Sequence, residues 1–304
     1  MKEKLGTVLK RDLKRNWTLY VLVIPVIVFY ILFHYKPMYG ALIAFQDYRP
    51  AKGFGTDWVG LKHFIRFFQS PIFLRLIKNT LALSILNLIF GFPAPIILAL
   101  LFNEVKSRVF KNVTQTFLFL PYFISMVVVC AMIRQFCYSD GLFNDIIAFF
   151  GGERVPLLQQ PQYYRTIYVA TDIWKSFGWS SILFTAALAG VDTQLYDAAK
   201  VDGAGRWKQM LHVTLPGIAP TIVIKLVLEI GHMMSLGYEK TLLLYNEAIY
   251  ETSDIISTYV YRYGLLNSEW SYSTAIGLFN SVVNVLLVVI ANKVSRKVSE
   301  TSLW

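Results

Sequence analysis

The chain has 304 residues, of which 55% are hydrophobic and only 16% charged, with 29 Lys and Arg against 19 Asp and Glu for a formal net charge of +10. So few charges exclude disorder and an ordinary soluble enzyme, whose charged share is about 25%. A positive balance would suggest nucleic acid in a soluble protein; here basic residues flank apolar stretches and serve to orient them in a bilayer, so no nucleic-acid partner is expected.

In chain order, six stretches supply the ~20 apolar residues that a helix needs to cross a membrane: 17–35, 79–103, 112–133, 166–190, 215–236 and 271–292. The first follows a basic head of Lys2, Lys4, Lys10, Arg11, Lys14 and Arg15. It is too long for the core of a cleaved signal peptide and is read as a retained helix. After it, LKHFIRFFQSP at 61–71 alternates basic residues with Phe64, Phe67 and Phe68, as a helix lying on the outer membrane surface would. Cys130 and Cys137 lack CxxC spacing and a His cluster and are packing residues, so no disulfide framework and no metal site is expected. GLFNDIIAFFGG at 141–152 is apolar but too short to span, hence an interfacial or packed external helix. The 237–270 loop, rich in Tyr and acidic residues, is either a partner contact or an ordinary exposed loop.

With six spans both termini share one side. Segments on the side of the N-terminus are roughly twice as dense in Lys and Arg as those opposite, which places both termini in the cytoplasm. The expected fold is an all-α, multi-pass membrane protein: a cytoplasmic tail at 1–16, one membrane domain at 17–292 and a cytoplasmic tail at 293–304. No repeat or linker divides it.

The most informative segment joins the fourth and fifth spans, DTQLYDAAKVDGAGRWKQMLHVTLPGIAP. Leu195, Ala198, Ala199 and Val201 recur near helical spacing, as do Trp207, Met210 and Leu211, with Gly203 and Gly205 between them. This predicts two short amphipathic helices joined by a glycine turn, with Pro216 opening the fifth span. Composition leaves open whether the pair docks on another protein or lies on the inner leaflet.

Asp197-Ala198-Ala199, then Gly203, then Val213-Thr214-Leu215-Pro216 resembles the EAA loop of permease subunits of ATP-binding-cassette importers, with Asp197 for Glu and Val213 for Ile. YKPMYGALIAFQDY, GFPAPIILALLFNEV, FLPYFIS and IWKSFGW extend the resemblance to the carbohydrate-type permeases, in particular the oligosaccharide and polysaccharide branch. The resemblance implies a type I importer permease of the MetI-like architecture in a bacterial cytoplasmic membrane, with a cytoplasmic coupling loop at 191–217. It implies a second permease subunit forming a heterodimer, two ATPase subunits that bind ATP and Mg, an extracellular solute-binding protein and an oligosaccharide substrate. On that pattern Asp197 pairs with a basic group of the ATPase, Gly203 permits the turn, and Leu215 and Pro216 fix the entry into the fifth helix; Ala198, Ala199 and Val213 complete the coupling set.

The chain has no GxxxxGK[ST] phosphate loop, so no catalytic residue and no cofactor is assigned to it. Ionisable residues inside the spans are costly, ~2.5 to 3.5 kcal/mol each near a helix centre, and must face protein or water. Asp172 and Lys175 share a face of the fourth span; Lys225, Glu229 and His232 share one of the fifth. Lys225 with Glu229 reads as a structural pair. The family resemblance implies a sugar-facing set of Asp172, Lys175, Ser176 and Trp179 on the fourth span and Glu229, His232, Met233 and Leu236 on the fifth. Lys175 beside His232 would suit an acidic sugar. Tyr122, Phe123 and Trp174 are either path-lining aromatics or helix contacts, and Asn87 and Asn280 are helix-to-helix amides. Two other classes remain: a membrane-embedded glycan-modifying enzyme, which needs a carboxylate cluster that Asp140, Asp145, Glu247 and Glu251 do not form, and an ion-coupled secondary transporter, for which the chain lacks an internal duplicate.

Overall fold

The computed structural model describes residues 12–55, 57–299 and 302–303. Lys2, Lys4, Lys10 and Arg11 of the basic head lie outside these. Among the described residues the structure is helical, apart from one isolated antiparallel bridge between Gln46 and Trp58.

Thirteen helical elements position the site: α1 (Trp17–Phe45), α2 (Lys62–Phe68), α3 (Phe73–Glu104), α4 (Arg108–Phe123), α5 (Met126–Phe136), α6 (Leu142–Phe149), α7 (Pro161–Ala189), α8 (Thr193–Val201), α9 (Arg206–Gly231), α10 (Tyr238–Leu244), α11 (Tyr250–Ser253), α12 (Ile256–Tyr261) and α13 (Trp270–Ser299). Among the described residues α1, α3, α9 and α13 are individually long and apolar enough to cross a bilayer, and α4 with α5 makes a fifth candidate if the bent pair is one span. α7 is 29 residues long, but Arg165, Asp172 and Lys175 interrupt its apolar surface.

Three of the long helices share a device that follows from proline chemistry. Proline lacks the N–H that would bond to the carbonyl four residues earlier, and its ring presses on that carbonyl, so the preceding turn must widen. Wide π-type turns at Ile31–Tyr35, Asn87–Gly91 and Met210–Thr214 are each followed two residues later by a proline: Pro37, Pro93 and Pro216. The helices therefore continue through their prolines.

That continuity corrects one expectation. The second short helix of the 191–217 loop is not separate: it begins at Arg206 and runs through the π turn into α9, so Pro216 lies inside the helix and does not open it. A second correction concerns the stretch at 112–133, expected as one straight span. It is broken into α4 and α5, whose axes differ by 96°. Leu120-Pro121-Tyr122-Phe123 tightens into a 3-10 turn, Ile124 is extended, and the Ser125 hydroxyl restarts the chain as N-cap by accepting from the Val128 N–H at 3.4 Å.

Three apolar cores hold the bundle. One joins Leu83 of α3, Cys130 of α5, Tyr164, Tyr168 and Val169 of α7, and Leu244, Ile249 and Ile255 from the segment after α9. The second joins Phe67 of α2, Leu76 of α3, Met234, Ile256, Tyr259, and Tyr272 and Ile276 of α13. The third, at the end of the bundle near α8, joins Ala99, Phe184, Leu188 and Ile218. Both cysteines are buried as free thiols. The 61–71 segment is packed on protein by one face: Phe67 is fully buried, and Arg66 forks onto Glu269 at 2.5 and 3.1 Å. α6 packs Phe143 and Ile147 onto the first core and exposes Phe149 and Phe150. The long 237–270 loop is folded, with α10 to α12 building core.

Its anchor is a buried polar network. Asp254 is fully buried and bonds Arg262 at 2.7 Å and Thr258 at 2.9 Å, with Arg75 at 3.9 Å; the Asn79 amide donates to the Glu251 and Asp254 carbonyls, and Arg165 donates to Asn79. Burial opposes the Arg262 charge, but Asp254 more than offsets it and raises the guanidinium above its ordinary range. α1 stands apart: none of its apolar window is buried, and only its last turns, around Ala44, pack on α13.

Candidate functional site

Two sites lie at different depths, connected by α9. The first is a cavity of about 180 Å³ between α3, α7 and the C-terminal end of α9, lined by Ser84, Asn87, Ser176, Ser180, Phe184, Lys225, Glu229, His232, Met233 and Leu236 among others. It opens where α9 stops. Gly231 is tucked against Val288 of α13, which a β-carbon would strike, and His232 and Met233 turn away from the helix axis. The end of α9 is then tied down: Ser84 Oγ donates to the Met233 carbonyl, and Met234 N–H donates to Asn284 Oδ1 at 3.0 Å.

The chemistry of the lining is polar and locally neutral. Lys225 and Glu229 pair at 2.5 Å one turn apart on α9. His232 places Nδ1 2.8 Å from the Leu228 carbonyl. A carbonyl only accepts, so Nδ1 carries the proton, and in the neutral ring Nε2 is left as an acceptor. Ser176 donates to the Asp172 carbonyl at 2.6 Å. Hydroxyls, an amide, an ion pair and an imidazole beside Phe92 and Phe184 can exchange hydrogen bonds with a polyhydroxylated ligand while packing its apolar faces.

Of the eight positions expected to face substrate, the structure brings five together: Ser176, Glu229, His232, Met233 and Leu236. The other three are engaged elsewhere. Asp172 Oδ2 lies 2.5 Å from Lys240 Nζ and 3.3 Å from the Asn87 amide. Lys240 is 4% exposed, donates to the Tyr168 carbonyl at 3.1 Å and rests over the Tyr168 ring at 3.2 Å. Burial lowers its pKa to about 8, against the upward pull of Asp172. Lys175 donates to the carbonyls of Pro121, Tyr122 and Ile124, and Trp179 stacks on Tyr122 at 4.8 Å. Lys175 and His232 therefore do not form the expected basic pair; the cation in the cavity is Lys225. Ser84, Ser180 and Phe184 were not singled out from sequence, because isolated serines and phenylalanines in apolar helices carry no distinguishing pattern. The Asp172–Lys240 pair was missed for another reason: it joins residues far apart in the chain.

The second site is the segment between α7 and α9. Asp192 caps α8 by accepting from the Gln194 N–H at 2.9 Å. The other end closes in a Schellman turn: Ala204 N–H bonds the Ala199 carbonyl at 2.9 Å and Gly203 N–H bonds the Lys200 carbonyl at 3.0 Å, with Gly203 at φ +74°. The spacing from Ala199 to Gly203 is thus the spacing this helix stop requires. Tyr196 OH meets Thr214 Oγ1 at 3.0 Å and ties α8 to the π turn of α9. Asp197 and Lys200 pair at 2.9 Å on the exposed face, and Val201 and Trp207 are 88% and 75% exposed. Ala198 is exposed, Ala199, Val213 and Leu215 are half-buried, and Pro216 is exposed. Beside α8 runs a cleft of about 500 Å³ whose charged walls include Glu104, Lys106, Asp197, Lys200 and Arg206.

Comparison with known proteins gives one family: residues 91–300 match the binding-protein-dependent transport system inner membrane component. The polygalacturonan/rhamnogalacturonan transport system permease protein YteP of Bacillus subtilis (strain 168) is 45% identical, over 100% of this chain and 95% of its own length. Protein LplB of the same organism is 45% identical over 96% of this chain and 92% of its own. A bacterial alginate ABC transporter, solved in complex with an alginate pentasaccharide-bound periplasmic protein, includes a chain that superposes with a TM-score of 0.89 at 43% identity, covering 99% of this chain and 100% of that one.

Proposed function

This chain belongs to the binding-protein-dependent transport system inner membrane components, and from that premise we propose that it forms half of an oligosaccharide path and converts motion at α8 into motion around the cavity. The observation that carries the reading is the continuity of α9. One 26-residue helix begins beside the exposed Schellman turn and ends at the cavity residues Glu229 and His232, about 39 Å of rod at 1.5 Å per residue.

The mechanism follows from that layout. Separate ATPase subunits, binding ATP and Mg, grip α8 and the first turn of α9 through Val201, Trp207 and the charged cleft around Asp197. Their closure moves α8, and the Tyr196–Thr214 contact with the Gly203 turn passes the displacement into α9. The cavity end shifts against α3 and α7, exposing its polar lining to one side of the bilayer and then the other.

In this reading α7 completes six spans with α1, α3, the α4–α5 pair, α9 and α13, and α8 lies in the bacterial cytoplasm with both termini. A second, similar permease supplies the other half of the path, and an extracellular solute-binding protein delivers the substrate. Relatives acting on polygalacturonan, rhamnogalacturonan and alginate support a uronate-containing oligosaccharide. Within the cavity Lys225 is the group that would meet a carboxylate, at the expense of its pair with Glu229.

The test is reconstitution. The chain with its co-purified subunits and binding protein should accumulate labelled tetragalacturonate in vesicles only when ATP is supplied, and malto-tetraose more slowly. Accumulation by the chain alone, or without ATP, would defeat the proposal.

A further inference from the structure

The break between α4 and α5 creates a chemical problem that Lys175 solves. A helix end leaves its last carbonyls without N–H partners, and the hydrocarbon region holds no water to supply them. Here the chain turns away by 96° after Phe123, and one ammonium bonds the Tyr122 carbonyl at 2.9 Å, the Ile124 carbonyl at 2.5 Å and, at 3.3 Å, the Pro121 carbonyl, which also accepts from the Ile124 N–H at 3.2 Å. An ammonium has three donors, and all three are used.

Two neighbours on α7 complete the joint. Gly178 lies under the Leu118 carbonyl, which a β-carbon would strike, so only glycine lets α4 come this close. Trp179 stacks on Tyr122 with 7° between the planes and meets Phe123 edge-on at 5.4 Å. Asp172, the acid one turn away, is taken by Lys240, and among the described residues no carboxylate pairs with Lys175. Its charge is directed at the carbonyl dipoles and, at 5.7 Å, at the face of the Tyr122 ring. Ser176 and Ser180, the residues that follow Lys175 and Trp179, line the cavity, so α7 carries the cavity on one face and the broken pair on the next.

We propose that Lys175 is a positioning residue: with Gly178 and Trp179 it clamps the α4–α5 break to α7, so that the broken pair travels with α7 when α8 is moved. The proposal rests on the transport reading for its motion, and on geometry alone for the clamp.

The experiment uses the assembled complex and two readouts. The first is the rate at which a maleimide labels I124C at the break, Ile124 being half-buried under the clamp whereas the two native cysteines are buried. The second is ATP-driven uptake of tetragalacturonate. K175M should label about tenfold faster, the scale of losing roughly one charge-assisted hydrogen bond. Its maximal uptake should fall about tenfold, with the half-saturating concentration unchanged. K175R, which keeps the charge and the donors, should restore both to within about threefold. W179L, which leaves the cation in place, should speed labelling by a smaller factor and decides the matter if K175M does not assemble. Unchanged labelling in K175M or W179L would overturn the clamp. So would a raised half-saturating concentration at full maximal rate in K175M, because it would put Lys175 on the substrate. If the unaltered complex takes up no tetragalacturonate, the transport reading fails while the labelling arm still decides the clamp.

Discussion

Replacing Asp172 by Asn should destabilise the protein by an amount that grows as the pH falls, because it removes the counter-ion of a lysine that is 4% exposed. Lys240 belongs to α10, outside the spans, and titrates at about 8 against an ordinary 10.5. Well below pH 8 the wild-type lysine holds its proton both folded and unfolded, so it contributes little pH slope there. Without Asp172 the upward pull on the buried lysine is gone and burial pushes the folded lysine further toward its neutral form, while the unfolded one stays charged. Stability then rises with pH, by ~1.4 kcal/mol per unit. The penalty is therefore ~1 to 2 kcal/mol at pH 7, ~3 kcal/mol at pH 6 and small at pH 8, at or below the ~3 to 5 kcal/mol expected for breaking a buried pair. At ~2 °C per kcal/mol, the melting temperature of the solubilised complex should trail wild type by about 3 °C at pH 7 and 6 °C at pH 6. Removing both partners, in D172N/K240M, should flatten the dependence. An equal gap at pH 6 and pH 8 would refute the reasoning.

Three further outcomes are expected. A β-carbon at Gly203 meets nothing within 4 Å, but Gly203→Trp places a side chain at φ +74°, a strain of ~1 to 2 kcal/mol; the chain should still insert and assemble, and assays should show ATP hydrolysis without transport. Asp254→Asn leaves Arg262 without its buried counter-ion at a cost of about 3 to 5 kcal/mol, so immunoblots of membranes should show little assembled protein. His232→Leu removes one acceptor from the cavity, worth ~0.5 to 1.5 kcal/mol; kinetics of tetragalacturonate uptake should show a half-saturating concentration up to about tenfold higher, and H232Q should recover part of it.

The family and most of the helices were legible from the sequence because apolar length and turn chemistry are local. The Schellman stop shows this best: the interval from Ala199 to Gly203 is set by two hydrogen bonds within six residues. The break at Pro121 was not legible, since Pro37, Pro93 and Pro216 also lie in apolar stretches and leave their helices running. What distinguishes Pro121 is a lysine 54 residues away. The same limit applies to Asp172: an acid beside a lysine on one helix face suggested a shared role, yet each found its partner on another element. Charges inside a membrane bundle are placed by tertiary geometry, and spacing along the chain reports only which face they start from.

Lys175 is also the middle residue of α7, with 14 residues on either side of it, out to Pro161 and Ala189. A stiff beam clamped at mid-length turns the pair it holds whenever it tilts. A push delivered at Ala189, next to α8, would swing Pro161 in the opposite direction by a similar amount, carrying the folded segment around Ile249 and Thr252 with it. One seesaw of about 42 Å would then shut one face of the bilayer as it opens the other, with no second signal needed at the far end.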